Sequence, residues 1–277
     1  MDKQQLHSIV EHQYKPPTEI EQYEAVQQVV SLLGSTDPEL RDNLAYGILY
    51  EWLITKKILT AGQLTELLHQ TLSDQMLFKG IGTAENDSVF QRTFSALLLA
   101  LLLKRDEQQP YISKPLYEHI AKRVVDYCMQ ENDYRDYVEV KGWAHSPAHI
   151  ADVMAACVRS PHIGPEECKK LLSAIEHMLL HANHILRTEE DERMATAVVS
   201  MLELNKLSFT SYCAWLMQVE LPNEDKVIYR CRRINVKNFA RSVWMRAAMR
   251  EFIDPTTEWH NWYNIEKKLN PVFNRDI

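Results

Sequence analysis

Residues 37–45 read Asp37-Pro38-Glu39-Leu40-Arg41-Asp42-Asn43-Leu44-Ala45, and an Arg that opens a helix rich in small or apolar residues recurs along the chain. Asp before Pro supplies a helix N-cap and a residue whose φ is already helical. Arg41 opens RDNLAYGIL, Arg92 opens RTFSALLLA, Arg193 opens RMATAVVSML and Arg241 opens RSVWMRAAM. Neighbouring arginines stand roughly 50 residues apart, and the gap between Arg92 and Arg193 has room for one more unit near His145-Ser-Pro-Ala-His149. Glycine supports the same picture: 7 Gly in 277 residues is far below the usual share of about 7%. Hairpins, dinucleotide-binding units and phosphate loops all consume glycine, which leaves an all-helical chain with short connections.

Apolar spacing at three and four residues predicts helices over 18–33, 38–57, 60–76, 86–105, 114–131, 147–158, 165–186, 190–204, 207–219, 226–250 and 258–269. The 37–45 entry resembles the inner helix of a HEAT-type repeat. Helix pairs of that kind cannot bury their apolar faces alone, so they stack into a curved superhelix. The expected fold is therefore all-α, a HEAT-like α-solenoid of antiparallel helix pairs with a period near 50 residues. A compact α/α bundle is the alternative. One repeat domain spanning 1–277 is expected, with a basic helical part at 226–277.

The formal net charge of −7 disfavours nucleic acid and anionic membranes. Phe94 to Leu103 (FSALLLALLL) is too short to span a bilayer, so it reads as an interior helix. The N-terminus shows no signal peptide. Cys128, Cys157, Cys168, Cys213 and Cys231 form no C-x-x-C pair and read as reduced, mostly buried thiols of a cytoplasmic protein.

The densest chemistry lies between Glu131 and Asp152. It comprises Glu131, Asp133, Arg135, Trp143, His145, His149 and Asp152. Ser146-Pro147 predicts a helix start between the histidines, with Ser146 as its cap and His149 and Asp152 on one face. Arg41, Arg92 and Arg193 could line the same pocket. One reading makes His145, His149 and Asp152 metal ligands or acid/base groups. The other makes the cluster a buried network that fastens a loop to a helix, with Trp143 as a plug.

The elements E-x-D-x-R and G-W-x-H-x-x-A-H-x-x-D resemble the hallmark of a bacterial domain-of-unknown-function family. Phe90 to Leu97 (F-x-R-x-F-S-x-L) and Glu190 to Arg193 (E-D-E-R) are also similar to it. The resemblance covers roughly residues 37–205 and departs at Asp136, where the family usually has Gly. It implies an all-helical protein and brings no established activity.

Two further patterns stand out. His177, His181 and His184 fall on one helical stripe opposite the apolar one, so they read as a solvated face. Residues 226–250 hold eight Lys/Arg and no acid, and Lys226, Arg230, Arg233, Lys237 and Arg241 form one stripe. That stripe could grip phosphates, nucleic acid or an acidic partner, or it could pair internally with Glu189 to Glu192. No nucleophile elbow, Walker A, H-E-x-x-H or dinucleotide fingerprint occurs. The expected function is binding of a protein partner or an anionic small ligand on a concave face, without a cofactor. A metal-assisted hydrolase is the rival. The sequence gives no sign of oligomeric state.

Overall fold

The structure is a computed structural model that describes residues 1–222 and 225–271. Among them, all regular structure is helical except one hairpin. In chain order the elements are α1 (Lys3–Glu11), α2 (Gln22–Val30), π1 (Glu39–Tyr46), α3 (Gly47–Tyr50), π2 (Glu51–Thr55), α4 (Ala61–Thr71), α5 (Ser88–Gln108) and α6 (Lys114–Gln130). There follow β1 (Tyr137–Val138), β2 (Gly142–Trp143), α7 (Ser146–Arg159), α8 (Pro165–His181), α9 (Glu190–Glu203), α10 (Phe209–Gln218), α11 (Lys226–Met249) and α12 (Pro255–Leu269). The all-α expectation holds.

Two differences from the sequence reading have local causes. Helix α1 falls outside every predicted segment because only Leu6 and Ile9 of its nine residues are buried, too few for a visible stripe. A reciprocal capping box between Asp2 and Gln5 holds it instead. The predicted 38–57 helix is present, but π1 and π2 widen it to i→i+5 bonding on both sides of α3.

Packing follows alternate helices. Helix α5 packs on π2, α7 on α5, α9 on α7 and α11 on α9. A second file runs beside it, with α6 on α8 and α10 on α12. Arg41, Arg92, Arg193 and Arg241 sit on π1, α5, α9 and α11, and α7 occupies the place between Arg92 and Arg193. Helix α5 buries residues around much of its circumference, including most of Phe94 to Leu103, which explains a run that is apolar on all sides. No helix among the described residues is long and apolar enough to cross a membrane.

Buried apolar side chains from Leu6 to Leu269 form one contiguous cluster. All five cysteines are free; Cys128, Cys157, Cys168 and Cys213 are buried and Cys231 is half-buried. Burial pushes the Cys157 and Cys213 thiols up to about 12 and the Cys168 thiol to about 11.

Candidate functional site

The site grows from a short hairpin pinned against two helix starts. Strands β1 and β2 pair antiparallel, Tyr137 opposite Trp143 and Val138 opposite Gly142. The ladder continues as the Ala144 and His145 N–H groups donate to the Asp136 and Arg135 carbonyls. Gly142 is required twice over. Its φ is +80°, and a Cβ there would lie 2.7 Å from Pro38 Cβ and 3.0 Å from Arg41 Nη2. Arg41, fully buried, donates to the Lys141 carbonyl at 2.8 Å and to the Ser35 carbonyl at 2.6 Å. Its guanidinium also lies over the Phe90 and Phe94 rings at 4.3 and 4.7 Å from their centroids. Val89, Phe90 and Ala144 form a small separate core beneath Val138.

Arg92 and Glu131 form a sealed pair. Arg92 Nε and Nη2 donate to the two Glu131 carboxylate oxygens at 2.7 and 2.8 Å, while Nη1 reaches the Lys79 carbonyl and Ser88. Burial works against the Arg92 charge, but the Glu131 carboxylate outweighs it and raises the guanidinium pKa. Asp133 takes a bidentate bond from Arg135, whose Nη2 also donates to the Asn86 carbonyl.

The predicted cap at Ser146 is replaced. His145 is the N-cap, in the left-handed region at φ 52° and ψ 38°, and its side chain makes no cap bond. The Ser146 hydroxyl is drawn instead to the Asp133 carbonyl, which crosses over the helix start. His145 Nε2 donates to the Thr188 carbonyl at 2.9 Å and lies 3.5 Å from Glu190. Its ring stacks under Trp143 at 5.0 Å and meets His149 edge-on at 5.5 Å. His149 also meets Phe94 edge-on, and its Nδ1 is buried with no partner.

Electrostatics follow from this enclosure. Burial holds His149 well below the ordinary histidine range, helped by the charges of His145, Arg193 and Arg41 and opposed by a backbone bond to Thr93. Burial pushes Glu190 upward, yet its hydrogen bonds with His145, Thr188 and the backbone prevail and hold it at about 2. At the rim, Arg193 donates to Asp152 at 2.5 Å. Burial raises the Asp152 carboxyl while Arg193 opposes that rise.

The structure therefore brings Trp143, His145, His149, Asp152 and Arg193 together, with the Arg92–Glu131 and Asp133–Arg135 pairs as separate knots behind them. Among the described residues no group of three or more His, Cys, Asp or Glu side chains could hold a metal ion. Asp152 is committed to Arg193, and His145 to Thr188 and Glu190. Sequence reasoning missed Thr188 and Glu190, which close the network. Glu190 sits in an acidic run that looks solvated, yet it is 1% exposed. The E-D-E-R element was the one signal that could have found it.

The other two patterns resolve differently. His177 and His181 stack at 4.4 Å, with His177 half-buried and lowered by burial and by His181, while His181 and His184 are exposed. Of the eight basic residues on 226–250, Arg246 pairs with Glu192 of the 189–192 run as the internal-pairing reading expects, while the stripe residues Arg233 and Arg241 turn elsewhere. Arg241 pairs with Glu266 on α12, and Arg233 donates to the Leu269 carbonyl. Glu192 is instead met by Ser242 and Arg246, which lie off the stripe. Facing α12 rather than α9 puts the stripe on a different neighbour from the one expected. Lys226 and Arg230 are exposed, and Lys237 is half-buried and lowered by burial and by Arg241 and Arg233.

Neither curated proteins nor solved structures give a significant match to this chain. A family model described as "Protein of unknown function (DUF2785)" matches residues 77–245, which takes in the hairpin, both histidines and Glu190. It starts and ends later than the 37–205 stretch expected from the motifs. The chain belongs to the DUF2785 family.

Proposed function

We propose that this chain is a cytoplasmic, single-domain helical-repeat protein of HEAT-like build that binds a protein partner through the face carried by the 137–143 hairpin. The packing of alternate helices in two files supports the repeat reading, and the continuous core supports one domain. The observation that carries the binding reading is how the titratable groups are spent. His145, His149, Glu190, Arg92 and Glu131 are buried and mostly paired with one another, so they shape the loop above them. What that loop shows to solvent is aromatic and apolar: Tyr137 is 56%, Val140 83% and Trp143 38% exposed, with the exposed Arg187 bonded to Asp136 beside them. Aromatic residues with arginine, held rigidly, are the composition of an interface hot spot. Arg41 and Arg92 are sealed and Arg193 is paired, which favours a protein over an anionic small ligand on this face. Among the described residues the metal-hydrolase alternative lacks a third ligand. Nucleic acid binding through α11 is not favoured, because Arg233 and Arg241 are engaged on α12.

A photo-crosslinker placed at Val140 tests the reading against one placed at Glu118, which is exposed on α6. The expected result is a partner captured from Val140 and not from Glu118. That partner, purified, should bind Trp143→Ala at least about ten-fold more weakly than wild type. Identical capture from both positions, or unchanged affinity in Trp143→Ala, would refute it.

A further inference from the structure

The far end of α5 lies about 20 Å from Arg92, thirteen residues at about 1.5 Å each. There a pocket of about 240 Å³ is lined by Lys57, Thr60, Ala61, Arg105, Gln109 and Tyr111 among others, and no carboxylate faces it among the described residues. Arg105 is only 4% exposed. Of its five donors, Nη2 reaches Gln109 Oε1 at 2.9 Å, while Nη1 is buried with no partner. Among the described residues it has no ion pair. Arg41 and Arg92, the other fully enclosed arginines, lie against Asp42 and Glu131. The neighbouring Asp106 is turned elsewhere, accepting from the Tyr111 and Ile112 N–H groups and the Tyr117 hydroxyl.

A buried guanidinium without a counterion is costly unless something supplies the charge. Two further sources of positive potential meet it. Lys57 lies two residues past π2, in the left-handed region at φ 54°, where the Ile58 N–H turns back to the Trp52 carbonyl, and it is one of the residues that line the pocket. Helix α4, 11 residues long, starts at Ala61 in the pocket wall; a Thr60–Gln63 capping box takes up the Gln63 N–H, which leaves the Ala61 and Gly62 N–H groups as the first-turn donors without an intrahelical acceptor.

We propose that this pocket is a binding site for a phosphate group, free or carried on a small phosphomonoester, gripped by Arg105 with Lys57 and the N-terminus of α4. Binding would turn the guanidinium from Gln109 so that its planar fork meets two phosphate oxygens, and the doubled negative charge answers the two cations. Gln109, an exposed and neutral side chain, holds the acceptor position that a phosphate oxygen would take. The site is separate from the Trp143 face and stands or falls independently of it.

Calorimetric titration with inorganic phosphate and with phenyl phosphate, at constant ionic strength in chloride with acetate as control, tests the site on the full chain. The expected result is saturable binding of at least one of the two. It should weaken at least about ten-fold in Arg105→Met and about three-fold in Lys57→Gln, and survive in Gln109→Ala. Binding of both probes assigns free phosphate as sufficient, and binding of phenyl phosphate alone assigns a phosphomonoester. Arg105→Met should also melt higher than wild type without phosphate, since it removes the uncompensated charge. Should that variant not fold, Lys57→Gln decides alone. No saturable binding, wild-type affinity in Arg105→Met and Lys57→Gln, or acetate bound as tightly as phosphate overturns the proposal.

Discussion

His149 and Glu190 give the site opposite charges to manage and the same direction of acid sensitivity. His149 is held neutral in the folded chain, so unfolding lets it take up a proton below its ordinary value near 6.5. The unfolded state then binds more protons, and stability falls as pH drops through that range. Glu190 titrates at about 2 when folded against 4.5 when exposed. Its stabilisation is complete above 4.5 and is lost as pH falls toward 2. Thermal melts should therefore decline in two steps, the first below neutrality and the second below about pH 4.5. His149→Gln is expected to shrink the first step, leaving the share that His177 contributes, and to spare the second. Glu190→Gln should cost about 1–3 kcal/mol at pH 7 and nothing near pH 2, because it leaves the Thr188 groups and His145 without their anion. A single-step profile in wild type would contradict this account.

At the scale of elements, the hairpin and the widened helix over π1, α3 and π2 define each other. Gly142 approaches Pro38 and Arg41 so closely that no Cβ fits, and Arg41 closes the gap with a bond to the Lys141 carbonyl. Gly142→Ala should destabilise the chain by about 1–3 kcal/mol through the positive φ and the clash with Pro38. Its earliest symptom should be faster amide exchange of Ala144 and His145, whose N–H groups continue the ladder. Exchange unchanged at those two amides would show that the approach is tolerated. This junction also marks what sequence reasoning could reach. Helices such as α8 and α11 were legible because their apolar residues recur at helical spacing. The i→i+5 windings were not, since a few wide turns leave no separate period in the pattern. The candidate cluster was legible as a list of residues, but not Glu190 as its acid, because spacing does not show which helix a side chain faces. The same limit hid the Arg105 pocket, where Lys57, α4 and α5 meet across distant stretches of chain.

Across the whole molecule, the family match begins at residue 77, yet the hairpin inside it is seated by Arg41, upstream of that boundary. Residues before 77 are therefore part of how the site is made. The buried thiols carry a last consequence. Cys128, Cys157, Cys168 and Cys213 lie on α6, α7, α8 and α10, and Cys231 lies on α11, so the free sulfurs mark different helices along the chain. Under native conditions a maleimide should find Cys231 at once and each of the others only when its own helix lifts away. A repeat stack that frays from its C-terminal end should yield Cys213 before Cys157, whereas an all-or-none bundle would release the four together. Mass spectrometry of the labelled protein would read the order directly. The chain thus carries its own row of chemical timekeepers, one to a helix, which record where it opens and in what sequence.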